Sequence, residues 1–237
     1  MEYSNNVIIG GKRVALPDEF IEVGLTASNY IDDGEPRFKH WTRAKKLQHF
    51  VLHETCGNTA SGCKRTLKKR GYGVHLILDK AGHLSCHGDL SRDVMTHANQ
   101  LNKTSTGIEI VNPYSPIYDR SDRDTIPADW WTWIPSKKSK KVKKILESGG
   151  WARVPKEYCL PTDAQMETIR LIVPWLCLEL GIPYSFPTKA LNRKLRKIRG
   201  LNLKPKARPM AGVVAHSDFA GHADGRYILE RLIEEAA

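Results

Sequence analysis

The sequence predicts an α/β (α+β) domain, with one central, mixed and mostly buried β-sheet flanked by helices. Three observations carry this. Short apolar runs bounded by turn residues are interspersed with longer helical stretches, the pattern of strands and helices mixed around one sheet. The chain has 237 residues, 41% of them hydrophobic, enough to bury a single large core. No stretch reaches the roughly 18–20 apolar residues of a membrane span, and no internal repeat is visible.

The elements follow in order. Residues 7–16 read as a strand pair turning at Gly10-Gly11, and the segment up to Pro36 as irregular. Residues 47–52 are a short apolar run suited to a buried strand. A small-residue loop over 55–62 then leads into a basic helix over 63–70. Residues 74–78 and 83–86 flank Asp79-Lys80-Ala81-Gly82, a hairpin signal. Residues 105–111 form the next strand, with Gly107 where a side chain would crowd a neighbour. An insertion over 112–160 holds Trp130, Trp131 and Trp133 and a basic helix at 136–148. Thr162-Asp163-Ala164-Gln165 has the form of a capping box and opens a helix to about Leu180, with a kink expected at Pro174. A basic helix over 191–198 and a terminal helix over 225–235 complete the chain. The expected organisation is an N-terminal arm, residues 1–44, packed on a catalytic domain of residues 45–236, with the insertion at about 113–160.

Thirty-seven Lys and Arg against 26 Asp and Glu give a net charge of +11. Six lysines fall within 137–144 and nine Lys/Arg within 189–208. Such a surface favours polyanions, but no zinc-finger, helix-turn-helix or RNA-motif signature accompanies it, so nucleic acid is set aside. Five cysteines, an odd and sparse number, argue against a disulfide framework, although Cys56 and Cys63 flank one loop and could pair or bind metal. The polar, acidic start of the chain is unlike a secretory signal, so synthesis in the cytoplasm is expected.

Most of the nine histidines read as ordinary, including His40, His49, His83 and His87. His53 and His216 differ, because each directly follows an apolar strand pattern, Phe50-Val51-Leu52 and Val213-Val214-Ala215. Asp224 lies close enough in sequence to return to the same point. Two nitrogen donors and one oxygen donor suit Zn2+ with one position left for water.

His53-Glu54-Thr55, Gly73-Val74-His75 with the strand and turn through Gly82, Thr96-His97-Ala98, Asn102, Ser105-Thr106-Gly107-Ile108-Glu109-Ile110, and His216 with His222-Ala223-Asp224 occur in that order. The set resembles the type 2 N-acetylmuramoyl-L-alanine amidases, which include phage endolysins, muropeptide amidases and peptidoglycan recognition proteins. The resemblance spans residues 45–112 and 160–236. It implies a zinc site of His53, His216 and Asp224, with Glu109 as general acid/base and His222 as the group facing the developing oxyanion. His97, Thr55 and Asn102 would line the substrate groove, and His75 would support the sheet. Two positions depart from the pattern. A tyrosine found before the second-strand histidine in some phage members is Val74 here, which shifts the proton-transfer role towards Glu109. A lysine usually found two residues before the last ligand is His222.

The implied function is cleavage of the amide between N-acetylmuramic acid and L-alanine of the stem peptide. The partner is peptidoglycan, an anionic wall polymer, and the protein is expected to act as a monomer after release to the wall, as an endolysin does. A cytoplasmic amidase recycling muropeptides and a non-catalytic peptidoglycan-binding module are the alternatives.

Overall fold

A computed structural model describes residues 4–30, 38–55, 57–112, 161–187, 210–218 and 224–236. The tryptophan cluster, the lysine run, the helices expected at 136–148 and 191–198, and His222 lie outside the described residues.

The chain begins with the expected hairpin, β1 (Asn6–Ile9) and β2 (Lys12–Ala15), antiparallel about Gly10 and Gly11. Both glycines have positive φ, at 65° and 80°, which the tight turn requires. The segment expected to be irregular instead contains a short helix, α1 (Asp18–Glu22), and a strand, β3 (Ala27–Asn29). Next come β4 (His40–Thr42), β5 (His49–Glu54), α2 (Ala60–Arg70), β6 (Leu76–Leu78), β7 (Leu84–Cys86) and β8 (Asp93–Met95). A 3-10 turn, Asn99–Thr104, leads into β9 (Ser105–Ile110). After the insertion come α3 (Asp163–Glu179), β10 (Gly212–Ala215) and α4 (Arg226–Glu235).

Six of these strands form one mixed sheet in the order β10-β5-β9-β6-β7-β3. The first four are parallel; β7 runs antiparallel to β6, and β3 parallel to β7. Alternation along each strand divides the side chains between two faces. On one face Phe50, Leu52, Leu76, Leu78, Ile108, Ile110, Val213 and Ala215 join α3 and α4 in the main core. Helix α3 supplies Met166, Ile169, Ile172, Val173, Leu176 and Cys177, three and four residues apart as a buried helical stripe must be. The other face is covered in two patches, Ile77 and Val111 with Cys63 of α2, and Val51 and Val214 with Ala98 and Leu101.

Local signals explain where the helices start. Thr162 accepts from Gln165 N while the Gln165 side chain accepts from Thr162 N, so the expected capping box forms. Thr162 Oγ1 also donates to Lys80 O, and Thr168 Oγ1 to Gly82 O, which docks the start of α3 on the β6–β7 turn. Helix α2 starts three residues before the expected boundary because Thr59 caps it, accepting from Gly62 N at 3.0 Å. Asp89 fastens the β1–β2 turn by accepting from Gly10 N and Gly11 N. Burial opposes ionisation of Asp89, but the N–H groups of Arg92, Ser91, Gly11 and Gly10 together hold its pKa below the ordinary value.

Candidate metal and proton-transfer site

Strand β5 runs two residues beyond its apolar pattern, so His53 and Glu54 belong to the strand rather than to the loop after it. In the parallel register Leu52 faces Ala215 on one side, while His53 faces Glu109 on the other. His216 directly follows β10, so His53, Glu109 and His216 gather at the C-terminal edge of adjacent parallel strands. Open α/β sheets place their ligand sites there.

Asp224 returns to the same point, and its Oδ2 lies 2.7 Å from His216 Nδ1 and 3.5 Å from His53 Nδ1. The two imidazole rings lie 4.6 Å apart between centroids. One donor atom from each of His53, His216 and Asp224 falls within 4.8 Å of the other two, the spacing of ligands around a single metal ion. Burial opposes ionisation of Asp224, yet hydrogen bonds from His216 and His53 hold its carboxylate far below the usual range. Glu109 is the reverse case. Burial first, then the negative charges of Asp224 and Glu54, push its pKa well above that of a free glutamate. Two neighbouring carboxyl groups are thus driven in opposite directions, one fixed as an anion and the other able to carry a proton.

Glu54 was not foreseen as part of the site. It is buried, and its backbone N–H donates to Asp224 Oδ1. Its carboxylate accepts from Asn112 Nδ2 at 2.8 Å and from Gly225 N at 3.0 Å. Glu54 therefore holds both residues of the Asp224-Gly225 pair. Gly225 has φ of 73°, and a Cβ there would fall 2.1 Å from Leu52 O, so the returning chain passes directly against β5. In the sequence Glu54 stands inside the His53-Glu54-Thr55 motif as a charged residue closing an apolar strand, and neither feature marks its buried role.

His97 stands beside the cluster, with Nδ1 3.1 Å from His53 Nε2 and Nε2 3.3 Å from Ser105 Oγ. Burial, then His53, His75, His216 and Arg43, push its pKa well below that of a free histidine, so the ring is neutral. Gly107 makes room for it, since a Cβ there would lie 2.7 Å from His97 Cε1. His75 packs edge-on against His97 with centroids 5.4 Å apart, and its Nε2 meets Asp93 O. Asn102 Oδ1 accepts from the backbone N–H groups of His97 and Ala98, which shapes that loop. Thr55 Oγ1 bonds locally to Gly57 and accepts from Asn112 N. Cys63 is a free buried thiol, and burial followed by the charges of Glu109 and Asp224 pushes its pKa up.

The chain matches the model of the N-acetylmuramoyl-L-alanine amidase family over residues 43–226, most of its length. It belongs to that family. No curated protein matches it by sequence. Solved structures similar to it include the Drosophila peptidoglycan recognition protein PGRP-SA, with a TM-score of 0.47, 12% identity, and coverage of 88% of this chain and 91% of that one. The endolysin N-acetylmuramoyl-L-alanine amidase LysCS from Clostridium intestinale has a TM-score of 0.47 and 12% identity, covering 88% and 95%. The Ph2119 endolysin of a Thermus scotoductus bacteriophage has a TM-score of 0.43 and 12% identity, covering 84% and 90%. Among the described residues, no helix is long and apolar enough to cross a membrane.

Proposed function

We propose that this protein is a zinc-dependent N-acetylmuramoyl-L-alanine amidase that acts as an endolysin on peptidoglycan. The observation that carries the reading is the convergence of His53, His216 and Asp224 within 4.8 Å, with Glu109 beside His53 on the next strand. Two imidazole nitrogens and an ionised carboxylate are a donor set that fits Zn2+. Zinc held there would acidify a water molecule and polarise the scissile carbonyl.

The protein's own groups account for the rest of the chemistry. Asp224 stays ionised and is kept in place by Glu54 and His216. Glu109, whose proton affinity is raised by burial and by neighbouring carboxylates, takes a proton from the attacking water and passes it to the departing amine of L-alanine. His222 is assigned the oxyanion as an N–H donor. His97, Thr55 and Asn102 are assigned to the groove wall. The net charge of +11 suits an anionic wall polymer as substrate and supports the endolysin over a recycling enzyme.

The test is purified protein against intact sacculi and against soluble muropeptide, each with chelator and then with zinc restored. Chelator-sensitive clearing of sacculi is the expected result. Cleavage of soluble fragments alone would replace the endolysin with a recycling amidase. Peptidoglycan binding without cleavage in either assay would make the protein a recognition module.

A further inference from the structure

Residues 38–53 hold four Lys and Arg and residues 57–78 hold five, and neither stretch contains an Asp or Glu, although the chain has 26 of them. The fold brings the two stretches together. Helix α2 starts beside the candidate metal site, where burial and then the charges of Glu109 and Asp224 raise the pKa of Cys63. Strands β5 and β6 are both parallel to β9, so α2 must carry the chain back to the opposite, N-terminal edge of the sheet. Arg70 therefore lies about 10 Å further along the helix axis than Cys63. At that edge Gly73 meets the start of β4, since a Cβ on it would fall 2.5 Å from Phe38 Cβ and 3.6 Å from Lys39 O. Phe38 and Cys63 share one buried cluster, with Leu67 of α2 packed against it.

The joined surface presents Lys39, Trp41, Lys68, Lys69, Arg70 and Tyr72. Trp41 is 50% exposed and Tyr72 46%, and Lys39 Nζ stands 5.4 Å from the centroid of the Trp41 ring. The helix dipole accounts for the bases in the last turn of α2. It does not account for Lys64 with Lys68 or Arg65 with Lys69, like charges four residues apart that repel on a helix face. A helix that needed only solvation would intersperse acids. We infer that this patch anchors a phosphate-bearing wall polymer, a chain of sugar or polyol phosphates, away from the cleavage groove. Phosphates pair with Lys and Arg, while the two exposed rings offer flat apolar faces with a polar tip to sugar or polyol units. A membrane fits less well, because the ammonium over Trp41 opposes entry of that ring among acyl chains. Anchoring there raises the local concentration of wall at the active site without filling it. The inference rests on the reading of peptidoglycan as the substrate.

The experiment is co-sedimentation of the intact chain, with chelator present so that nothing is cleaved. The probes are purified sacculi that carry a polyol-phosphate polymer and the same sacculi after acid hydrolysis has removed it. Two patch variants, Lys69→Gln/Arg70→Gln and Trp41→Ser, are compared with Lys12→Gln/Lys103→Gln, which removes the same charge elsewhere. All of these side chains are exposed, and thermal melts check that each variant folds. Wild type should bind polymer-bearing sacculi at least about tenfold more tightly than stripped ones, and less tightly as salt rises. Lys69→Gln/Arg70→Gln should lose about tenfold of that affinity and flatten its salt dependence. Trp41→Ser should lose about fivefold. The control double variant should bind like wild type, and turnover of soluble muropeptide with zinc should be unchanged in every variant.

Patch variants that sediment like wild type would overturn the inference. So would equal binding of wild type to stripped sacculi, which would make peptidoglycan itself the ligand. Tighter binding of wild type to duplex DNA or to phosphatidylglycerol vesicles than to the purified polymer, lost in the patch variants, would give the patch to that partner instead. Failure of the amidase reading looks different: with zinc present neither sacculi nor soluble muropeptide would be cleaved, while sedimentation in chelator would still separate the patch variants from wild type.

Discussion

Replacing Gly225 with alanine tests whether the return of the chain against β5 places Asp224. The perturbation has two parts. An L-residue in the left-handed region costs about 1–2 kcal/mol, and Gly225 has φ of 73°. In addition, the new Cβ would sit 2.1 Å from Leu52 O and 2.7 Å from Leu52 C, both well inside ordinary contact. The neighbour is strand backbone in the middle of the sheet, so residues 224–225 must move instead. Together these give an expected loss of about 3 kcal/mol in the unfolding free energy of the zinc-free protein, measured by denaturant titration. The same movement strains the hydrogen bonds from Glu54 N to Asp224 Oδ1 and from Gly225 N to Glu54 Oε2. Zinc affinity should therefore fall by at least about tenfold in chelator competition. Gly24→Ala is the control: Gly24 is also left-handed, at φ of 89°, but nothing lies within 4 Å of the added Cβ. It should show the backbone cost alone and leave zinc affinity unchanged. If Gly225→Ala matched Gly24→Ala in both measurements, the proposed role of the close approach would be refuted.

Glu109→Gln should leave zinc binding intact while kcat falls by about 10²–10⁴-fold, the usual contribution of a general acid/base; near wild-type turnover would remove Glu109 from the mechanism. Acid should destabilise the fold through His75 and His87, both pushed down to about 3, burial being the main cause. The unfolded chain takes up these protons near pH 6.5 and the folded chain does not, so stability falls as pH drops from about 6.5 towards 3. At pH 5 the loss is about 2 kcal/mol per histidine, and His87→Asn should remove about half of the pair's slope in denaturant titrations across that range. Thr162→Ala removes both the cap of α3 and the bond to Lys80 O, and should lower unfolding stability by about 1–2 kcal/mol.

Elements that carry their own local instructions were legible in the sequence. The Gly10-Gly11 turn needs positive φ at both residues, and the capping box at Thr162 satisfies the start of α3 from within the same segment. Asp79 closes the β6–β7 turn by accepting from Ala81 N and His83 N, again within reach of its own neighbours. What escaped were elements made by partners distant in sequence. Ala27-Ser28-Asn29 has no apolar alternation and is a strand through its pairing with β7. His40–Thr42 and Asp93–Met95 likewise define each other as β4 and β8, and Arg43 reinforces them by donating to the carbonyls of Ser91, Asp93 and Ser105.

The candidate site divides in the same way. His53 and His216 were marked by the apolar runs before them, and the parallel register of β5 and β10 brings those run-ends together. Glu54 ends its strand with the same signal as any solvated carboxylate. Its partners Asn112 and Gly225 lie 58 and 171 residues away, so its buried role follows from the fold alone. The crowding anticipated at Gly107 is real, and the residue it accommodates is His97.

The central claim is that His53, His216 and Asp224 hold one zinc ion that serves amide cleavage. The most direct measurement pairs metal content with product chemistry for wild type and Asp224→Ala on purified sacculi. Wild type should carry one zinc per chain and release stem peptides with free L-alanine amino groups, while Asp224→Ala should do neither. A wild-type protein that carries zinc but generates new reducing sugar ends, or an Asp224→Ala variant that still cleaves the amide, would contradict the account.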